Sequence, residues 1–344
     1  MSFSLSSGTF LPQSDKVHTI SLEEIQMKKL TRILAMIMAL AMVLALTACS
    51  GGKDDTYTVG ICQLVQHDAL DAATQGFMDA LTEEFGDKIK FDNQNASGDS
   101  AMCSTIVNQF ISAEVDLIMA NATPALQAAA AATTEIPILG TSITEYGVAL
   151  EIDGFSGTVG GNISGTSDLA PLDEQAAMIK EWFPDAKTVG LIYCSAEANS
   201  QYQVDVVKAE LEALGYTATL YSFSDSNDLA AVTEGAVAAS DVIYVPTDNT
   251  VAANTGIIDN ICRPAGIPVI AGEEGICSGC GVATLSISYY DLGYTTGQMA
   301  AKILKGESKI SEMPIEYAPV TQKYNAEICE ALGLTPPEGY VAIG

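Results

Sequence analysis

The sequence predicts an α/β protein of two doubly wound parallel-sheet lobes. Three observations carry that prediction. Short apolar runs alternate with helix-period patterns from residue 57 onward, the rhythm of βαβ units whose sheet is covered on both faces. The rhythm breaks at a glycine-rich segment, Gly154 to Gly165, and then starts again. The length, 344 residues with 48% hydrophobic and 17% charged, suits two domains of roughly 100–150 residues each and excludes intrinsic disorder.

The chain opens with segments outside that fold. Lys28, Lys29 and Arg32 precede an apolar run from Ile33 to Leu46, which ends in Leu46-Thr47-Ala48-Cys49. A basic flank, an apolar stretch of about 7–15 residues and small residues before a cut make a secretory signal, whereas a spanning helix needs about 20 apolar residues. The four residues ending at Cys49 resemble a bacterial lipobox, which implies diacylglyceryl transfer to the Cys49 sulfur and cleavage before it. The competing reading is an ordinary signal with an incidental cysteine. Residues 27–48 are therefore expected to be a lipoprotein signal peptide and residues 49–56 a lipidated polar tether. Met27 reads as the true start, and residues 1–26 as a mis-called upstream extension. The mature chain is expected to meet the membrane only through its anchor, on the outer side of the cell membrane.

Fifteen basic residues stand against 43 acidic ones, a formal net charge of -28. Such a chain repels phosphate backbones, which argues against nucleic acid as a partner. Once residues 1–48 are removed, His67 is the only histidine. Seven cysteines remain besides Cys49, an odd number that cannot all pair within one chain. Cys62 and Cys194 lie in apolar strand-like runs and read as small buried hydrophobes. Cys277-Ser-Gly-Cys280 has metal or redox spacing but no second pair or histidine, so it reads as a tight local disulfide or as two free thiols in a loop. No metal or cofactor is expected.

The elements follow in order. Strands are expected at 57–65, 89–91, 116–120 and 136–139, with helices at 68–85, 100–113 and 123–132 between them. Leu70, Phe77, Leu81 and Phe85 share one face of the first helix, and Pro124 sits in the first turn of the third. The glycine-rich segment reads as the crossover between lobes. Beyond it, helices are expected at 175–183, 201–214, 229–239 and 251–262, and strands at 188–193, 217–223, 241–245 and 267–271.

Polar residues gather where these strands end. They are Gln66-His67-Asp68, Asn121 to Pro124, Thr141 to Glu145, Ser195 to Ser200, Thr247-Asp248-Asn249 and Glu273-Glu274. Open parallel sheets bind ligands at the carboxyl ends of their strands, so two facing lobes would make a cleft there. Taken singly, Thr123, Ser200 or Asn249 has a ready structural role as a helix cap. Together the sets offer helix N–H groups to an anion, and the carboxylates of Glu197, Asp248 and Glu273 to a cation. A site holding both suits a zwitterion such as an α-amino acid. His67, at the first strand end, is a candidate for the pocket wall.

Seven motifs occur in order: Gln66-His67-Asp68-Ala69-Leu70-Asp71, Gln94-Asn95-Ala96, Ala122-Thr123-Pro124-Ala125, Gly160-Gly161-Asn162-Ile163-Ser164-Gly165, Glu197-Ala198-Asn199-Ser200, Pro246-Thr247-Asp248-Asn249 and Tyr289-Tyr290-Asp291-Leu292-Gly293. Together they resemble the substrate-binding lipoproteins of ABC importers assigned to tryptophan and tyrosine uptake, over about residues 57–320. The resemblance implies a type I periplasmic-binding-protein fold, two lobes joined by a hinge crossed three times, the third time near Pro314 to Val320. It implies an N-terminal lobe of 57–165 plus 286–313 and a C-terminal lobe of 166–285 plus 314–344. The chain departs from the pattern at Gln66 and Asp68, where Glu and Pro are common, and at the cysteine pair between Glu273 and Cys280.

The resemblance further implies a monomeric receptor that captures tryptophan, tyrosine or phenylalanine and delivers it to permease and ATPase subunits. Glu197 and Asp248 would meet the ammonium, and Thr123, Ser200 and nearby helix N–H groups the carboxylate. Leu70, Pro124 and Tyr289 would give apolar or stacking surface, although Tyr289 suits core packing equally. Thr144, Asn199, Asn249, Glu273 and His67 complete the expected ligand set. An enzyme is the weaker reading: there is no GxxxxGK[ST], HExxH or GxSxG, and a triad would have to use His67. A surface adhesin, a sensor accessory lipoprotein, or a receptor for another small amino-acid-like solute are the alternatives.

Overall fold

The computed structural model describes residues 56–343. The signal segment, Cys49 and the tether up to Asp55 lie outside the described residues. Thirteen strands and twelve α-helices, numbered along the chain, form two α/β lobes among those described.

The first sheet contains β1 (Tyr57–Gln63), β2 (Ile89–Asn95), β3 (Leu117–Asn121), β4 (Ile138–Ile143), β5 (Ile163–Ser167) and the late strand β11 (Glu316–Tyr317). Their order is β11-β5-β4-β3-β1-β2, and every pairing is parallel. Strand side chains alternate between faces, so each strand feeds two cores. Val59, Ile61, Leu117 and Met119 pack under helices α1 (Asp68–Phe85) and α11 (Tyr289–Leu304). Cys62, Ile118 and Ala120 pack with α2 (Ser100–Ser112) and α3 (Thr123–Ala132) on the other face.

The second sheet contains β6 (Thr188–Cys194), β7 (Thr217–Phe223), β8 (Val242–Val245), β9 (Val269–Ala271), β10 (Ala283–Ser286), β12 (Thr321–Tyr324) and β13 (Val341–Ala342). Its order is β13-β12-β10-β9-β8-β6-β7, with β12 antiparallel to β10. Val189, Leu191 and Tyr193 meet α5 (Leu172–Trp182) and α6 (Ala198–Ala213), while Ile192 and Ile243 meet α7 (Leu229–Val237) and α9 (Thr255–Ala265).

The chain passes between the sheets after Ser167, after Ser286 and between Tyr317 and Thr321. The first passage therefore follows the glycine-rich segment instead of lying within it. Gly154, Gly157, Gly160 and Gly161 take positive φ in the loop that leads into β5, and Gly165 lies inside β5. A Cβ at Gly165 would stand 2.4 Å from the Tyr146 hydroxyl, which is held by the Gly140 and Thr166 carbonyls. Glycine is needed there for contact as well as for its φ of 144°.

Other differences have local causes. The fourth strand begins at Ile138 and runs on through Thr141 and Ser142, across a register shift between Gly140 and Ile143. The helix expected at 251–262 is two helices, α8 (Asn249–Ala252) and α9, because Asn254 leaves helical geometry between them. Cys277 and Cys280 lie on a buried helix, α10 (Glu274–Cys280), not in a loop, and all seven described cysteines are unpaired.

Late in the chain, α11 returns to the first lobe and packs against α1. A Cβ at Gly293 would lie 1.9 Å from the Ala73 carbonyl oxygen, and one at Gly76 2.1 Å from that of Tyr290. The two backbones touch because glycine stands at both positions.

Candidate functional site

The carboxyl ends of both sheets meet along a seam, and the sequence-predicted residues are distributed along it. At one end, His67 caps α1 without a side-chain bond to that helix. Its Nε2 instead lies 3.4 Å from Asn249 Oδ1 in the second lobe. Asn249 is oriented by Glu197, which accepts from its amide Nδ2 at 2.6 Å and its backbone N–H at 3.0 Å. Glu197 also accepts from the backbone N–H of Thr250 at 2.9 Å and from its hydroxyl at 2.7 Å. The carboxylate thus sits on the N-terminus of α8, where the helix dipole favours a negative charge. Burial holds the His67 imidazole below its ordinary pKa, opposed by the Asn249 bond and the Glu197 charge.

Asp248 is 1% exposed. Its Oδ1 accepts from the Val251 N–H at 2.9 Å and caps α8, while Oδ2 accepts from the Cys194 N–H at 2.7 Å. Both oxygens are directed within its own lobe. Burial, and then the Glu197 charge, push its carboxyl up. Glu273 caps α10, accepting from the Gly275 N–H at 2.6 Å and from that of Ile276. Burial raises its carboxyl to about 7. The three nominated carboxylates therefore each bond to the N–H groups at a helix start.

Asn199 donates to the Thr247 carbonyl at 3.0 Å, and Ser200 is buried beside it. Thr123 and Pro124 open α3, whose cap position is Ala122 at φ 86°, with no side-chain cap. Pro124 has no N–H, and the Ala125 and Leu126 N–H groups bond the Ala122 carbonyl, so Thr123 is the first-turn residue whose N–H faces the seam side of the helix start. The positive φ of a buried alanine is a strained conformation of the kind stored at functional sites. Leu70 is buried in α1, and its carbonyl accepts from Asn121 Nδ2 at 2.9 Å.

At the other end of the seam, the Tyr289 hydroxyl donates to Asp168 Oδ2 at 2.9 Å. Asp168 begins the first passage between lobes and was missed in the sequence, where it stands in no motif. Burial raises its carboxyl, while the Tyr289 and Thr144 hydroxyls pull it down. Its Oδ1 is buried without a hydrogen-bond partner, as are Asn121 Oδ1, Ser142 Oγ and Asn199 Oδ1. Asn121, Ser142 and Asp168 lie at the ends of the adjacent strands β3, β4 and β5. Ser142 carries a left-handed φ of 56°.

Three depressions mark the seam from outside. One of about 240 Å³ lies between Leu64 and Pro124 of the first lobe and Glu197 and Asn249 of the second. One of about 330 Å³ lies between His67 and Ala252, and one of about 350 Å³ between Tyr289 and Glu273. Among the described residues, no cluster of three or more His, Cys, Asp or Glu side chains could hold a metal, and no helix is long and apolar enough to cross a membrane.

The chain is similar to the tyrosine-binding protein of Clostridioides difficile strain R20291, 37% identical over 263 residues that cover 75% of this chain and 75% of that one. Among solved structures, it resembles an ABC domain from Streptococcus pneumonia in complex with L-Trp, with a TM-score of 0.79 and 31% identity, covering 84% of this chain and 100% of that one. It also resembles the ligand-free, open structure of a substrate binding protein with adhesive properties from Clostridium difficile, with a TM-score of 0.65 and 37% identity, covering 84% and 99%. Residues 58–341 match the family described as ABC transporter substrate binding protein. Two parallel-sheet lobes joined by three passages, and a polar seam at their strand ends, accompany that match across nearly all the described residues: the chain is a type I periplasmic-binding-protein fold and belongs to the family of ABC transporter substrate-binding proteins.

Proposed function

We propose that this protein is an extracytoplasmic lipoprotein, anchored through Cys49, that captures an aromatic amino acid between its lobes and hands it unchanged to the permease and ATPase subunits of an importer. It works as a monomer and performs no chemistry on its ligand. The single observation that carries the reading is the set of buried, unpartnered polar atoms at the seam, Asn121 Oδ1, Ser142 Oγ, Asp168 Oδ1 and Asn199 Oδ1. Leaving one such group without a partner costs about 1–3 kcal/mol, so several together call for a polar ligand. The start of α3 offers the Thr123 N–H and hydroxyl to a carboxylate, and Leu70, Pro124 and Tyr289 offer surface to an aromatic ring.

The relatives support the aromatic class. One is named for tyrosine and another was solved with L-Trp. The fit is better to the Trp complex at 31% identity than to the ligand-free open structure at 37%. That order supports a lobe arrangement nearer to the Trp complex than to the open structure. Closure about the three passages is a hinge motion.

The test is a thermal-shift screen of the twenty amino acids on the mature protein. Tryptophan, tyrosine or phenylalanine is expected to raise the melting temperature, because a ligand bound only to the native state stabilises it by mass action. Shifts confined to non-aromatic amino acids would reject the aromatic class. A second role as adhesin draws on the adhesive properties of the Clostridium difficile relative; binding of the unliganded protein to host cells would reveal it.

A further inference from the structure

Asp168 is a buried seam carboxylate one of whose oxygens has no hydrogen-bond partner, with the Thr144 hydroxyl near the group. Glu197, Asp248 and Glu273 each have both oxygens engaged by N–H groups or hydroxyls of their own lobe. Asp168 is 4% exposed; Tyr289 occupies its Oδ2, and its Oδ1 has no partner. The residue belongs to the first passage between lobes, and Tyr289 follows the second, so the pair lies at the hinge. A buried carboxylate oxygen left without a donor is costly, and a cationic donor placed on it removes that cost.

The geometry selects the kind of cation. One unpartnered oxygen beside a donating hydroxyl suits a directional N–H donor. A hard metal ion would need about six oxygens, and the described residues offer no such cluster. We propose that Asp168 Oδ1 receives the primary ammonium of the ligand. The proposal rests on the reading of the ligand as an amino acid and adds which residue recognises its amine. Asp168 would then be a ligand-binding residue and Tyr289 a positioning residue that holds the carboxylate through its other oxygen.

Calorimetry with L-tryptophan and L-tyrosine on the parent and on Asp168→Asn tests this, with indole-3-propionate as a probe that lacks the amine. The parent is expected to bind an amino acid about a hundredfold or more tighter than the deaminated probe. Asp168→Asn is expected to lose a similar factor for the amino acid and to bind the probe as the parent does. Binding of the amino acid by Asp168→Asn within about threefold of the parent would overturn the proposal while leaving the amino-acid reading intact. A parent that binds neither amino acid overturns that reading, and the proposal with it. Should Asp168→Asn fail to fold, the smaller Asp168→Ser carries the same comparison. Failure of both to fold would assign Asp168 to stability and likewise overturn the proposal.

Discussion

The His67 imidazole and the Asn249 side-chain carbonyl meet across the seam at 3.4 Å, although 182 residues separate them in the chain. Asn249 Nδ2 is committed to Glu197, so its Oδ1 must accept and His67 Nε2 must donate. The other ring nitrogen, Nδ1, is buried without a partner. Burial at the seam therefore favours the neutral imidazole. Glu197, Asp68 and Asp71 are the charged groups that face it, and all favour protonation, yet burial prevails.

The contact predicts a pH effect on closure. Burial against the second lobe lowers the imidazole pKa, so a lobe movement that solvates the ring is expected to take up a proton and closure to expel one. Closure is then unimpeded above the ordinary histidine pKa, about 6.5, and weakens as pH falls below it. Asp248 and Glu273 have raised carboxyls and act in the opposite sense, so a variant must isolate the histidine. His67→Gln keeps an N–H donor and cannot titrate. Between pH 7.5 and 5.5, parent affinity for L-tryptophan is expected to fall relative to that of His67→Gln by about three- to tenfold. Parallel pH profiles would show that the ring does not titrate on closure.

The anchor gives a second prediction. Leu46-Thr47-Ala48-Cys49 ends an apolar run. A single lipidated residue would hold the whole binding unit at the membrane. Cys49→Ala is expected to release the protein into the aqueous phase on detergent partitioning, with ligand affinity unchanged. Retention in the detergent phase would point to another anchor.

The βαβ rhythm up to Ala271 was legible because each strand is an apolar run and each helix has a periodic face. Helix α10 was not. It has seven residues and two glycines, and forms because Glu273 caps it and Ile276, Cys277 and Cys280 bury beneath it. By residue type Thr123, Ser200 and Asn249 suit caps, yet the cap positions of those helices fall to Ala122, Glu197 and Asp248; the side chains that do cap are those of Asp248 and Glu273. Asp168 left no local signal, because what marks it is an absent partner on one oxygen, a property of tertiary packing. The seam position of His67, Asn249 and Tyr289 could be anticipated from strand ends and motif resemblance, whereas their actual bonds depend on how the lobes meet.

The α1–α11 contact predicts a large packing effect. Ala at position 293 would place its Cβ against a backbone oxygen, which cannot swing aside as a side chain would. Gly293→Ala is therefore expected to destabilise by about 1–3 kcal/mol or more, the range for overpacking. Gly235 has open space around its Cβ position and lies in a helix, so Gly235→Ala is expected to be neutral or slightly stabilising. Denaturant melts of the two variants check the contrast.

Asp248 separates a cap from a ligand contact. Its two oxygens accept from two different backbone N–H groups, Val251 and Cys194. Asparagine offers one oxygen and would turn its NH₂ toward the other N–H, leaving a buried donor unpaired. Asp248→Asn is therefore expected to lose about 1–3 kcal/mol of stability. Its effect on L-tryptophan affinity is expected to stay within about threefold, against about a hundredfold for a direct ammonium contact. The pH dependence gives an independent check. The folded-state pKa of Asp248 lies above its unfolded value, so the stability linked to the protonated carboxyl is complete below the unfolded pKa and is lost as pH rises through the folded one. Asp248→Asn removes that titration. The stability gap between parent and variant should narrow as pH rises from 5 to 8. A gap that widens would mean that the ionised carboxylate is the form the fold prefers, and a hundredfold loss of affinity with unchanged stability would return Asp248 to the ammonium site.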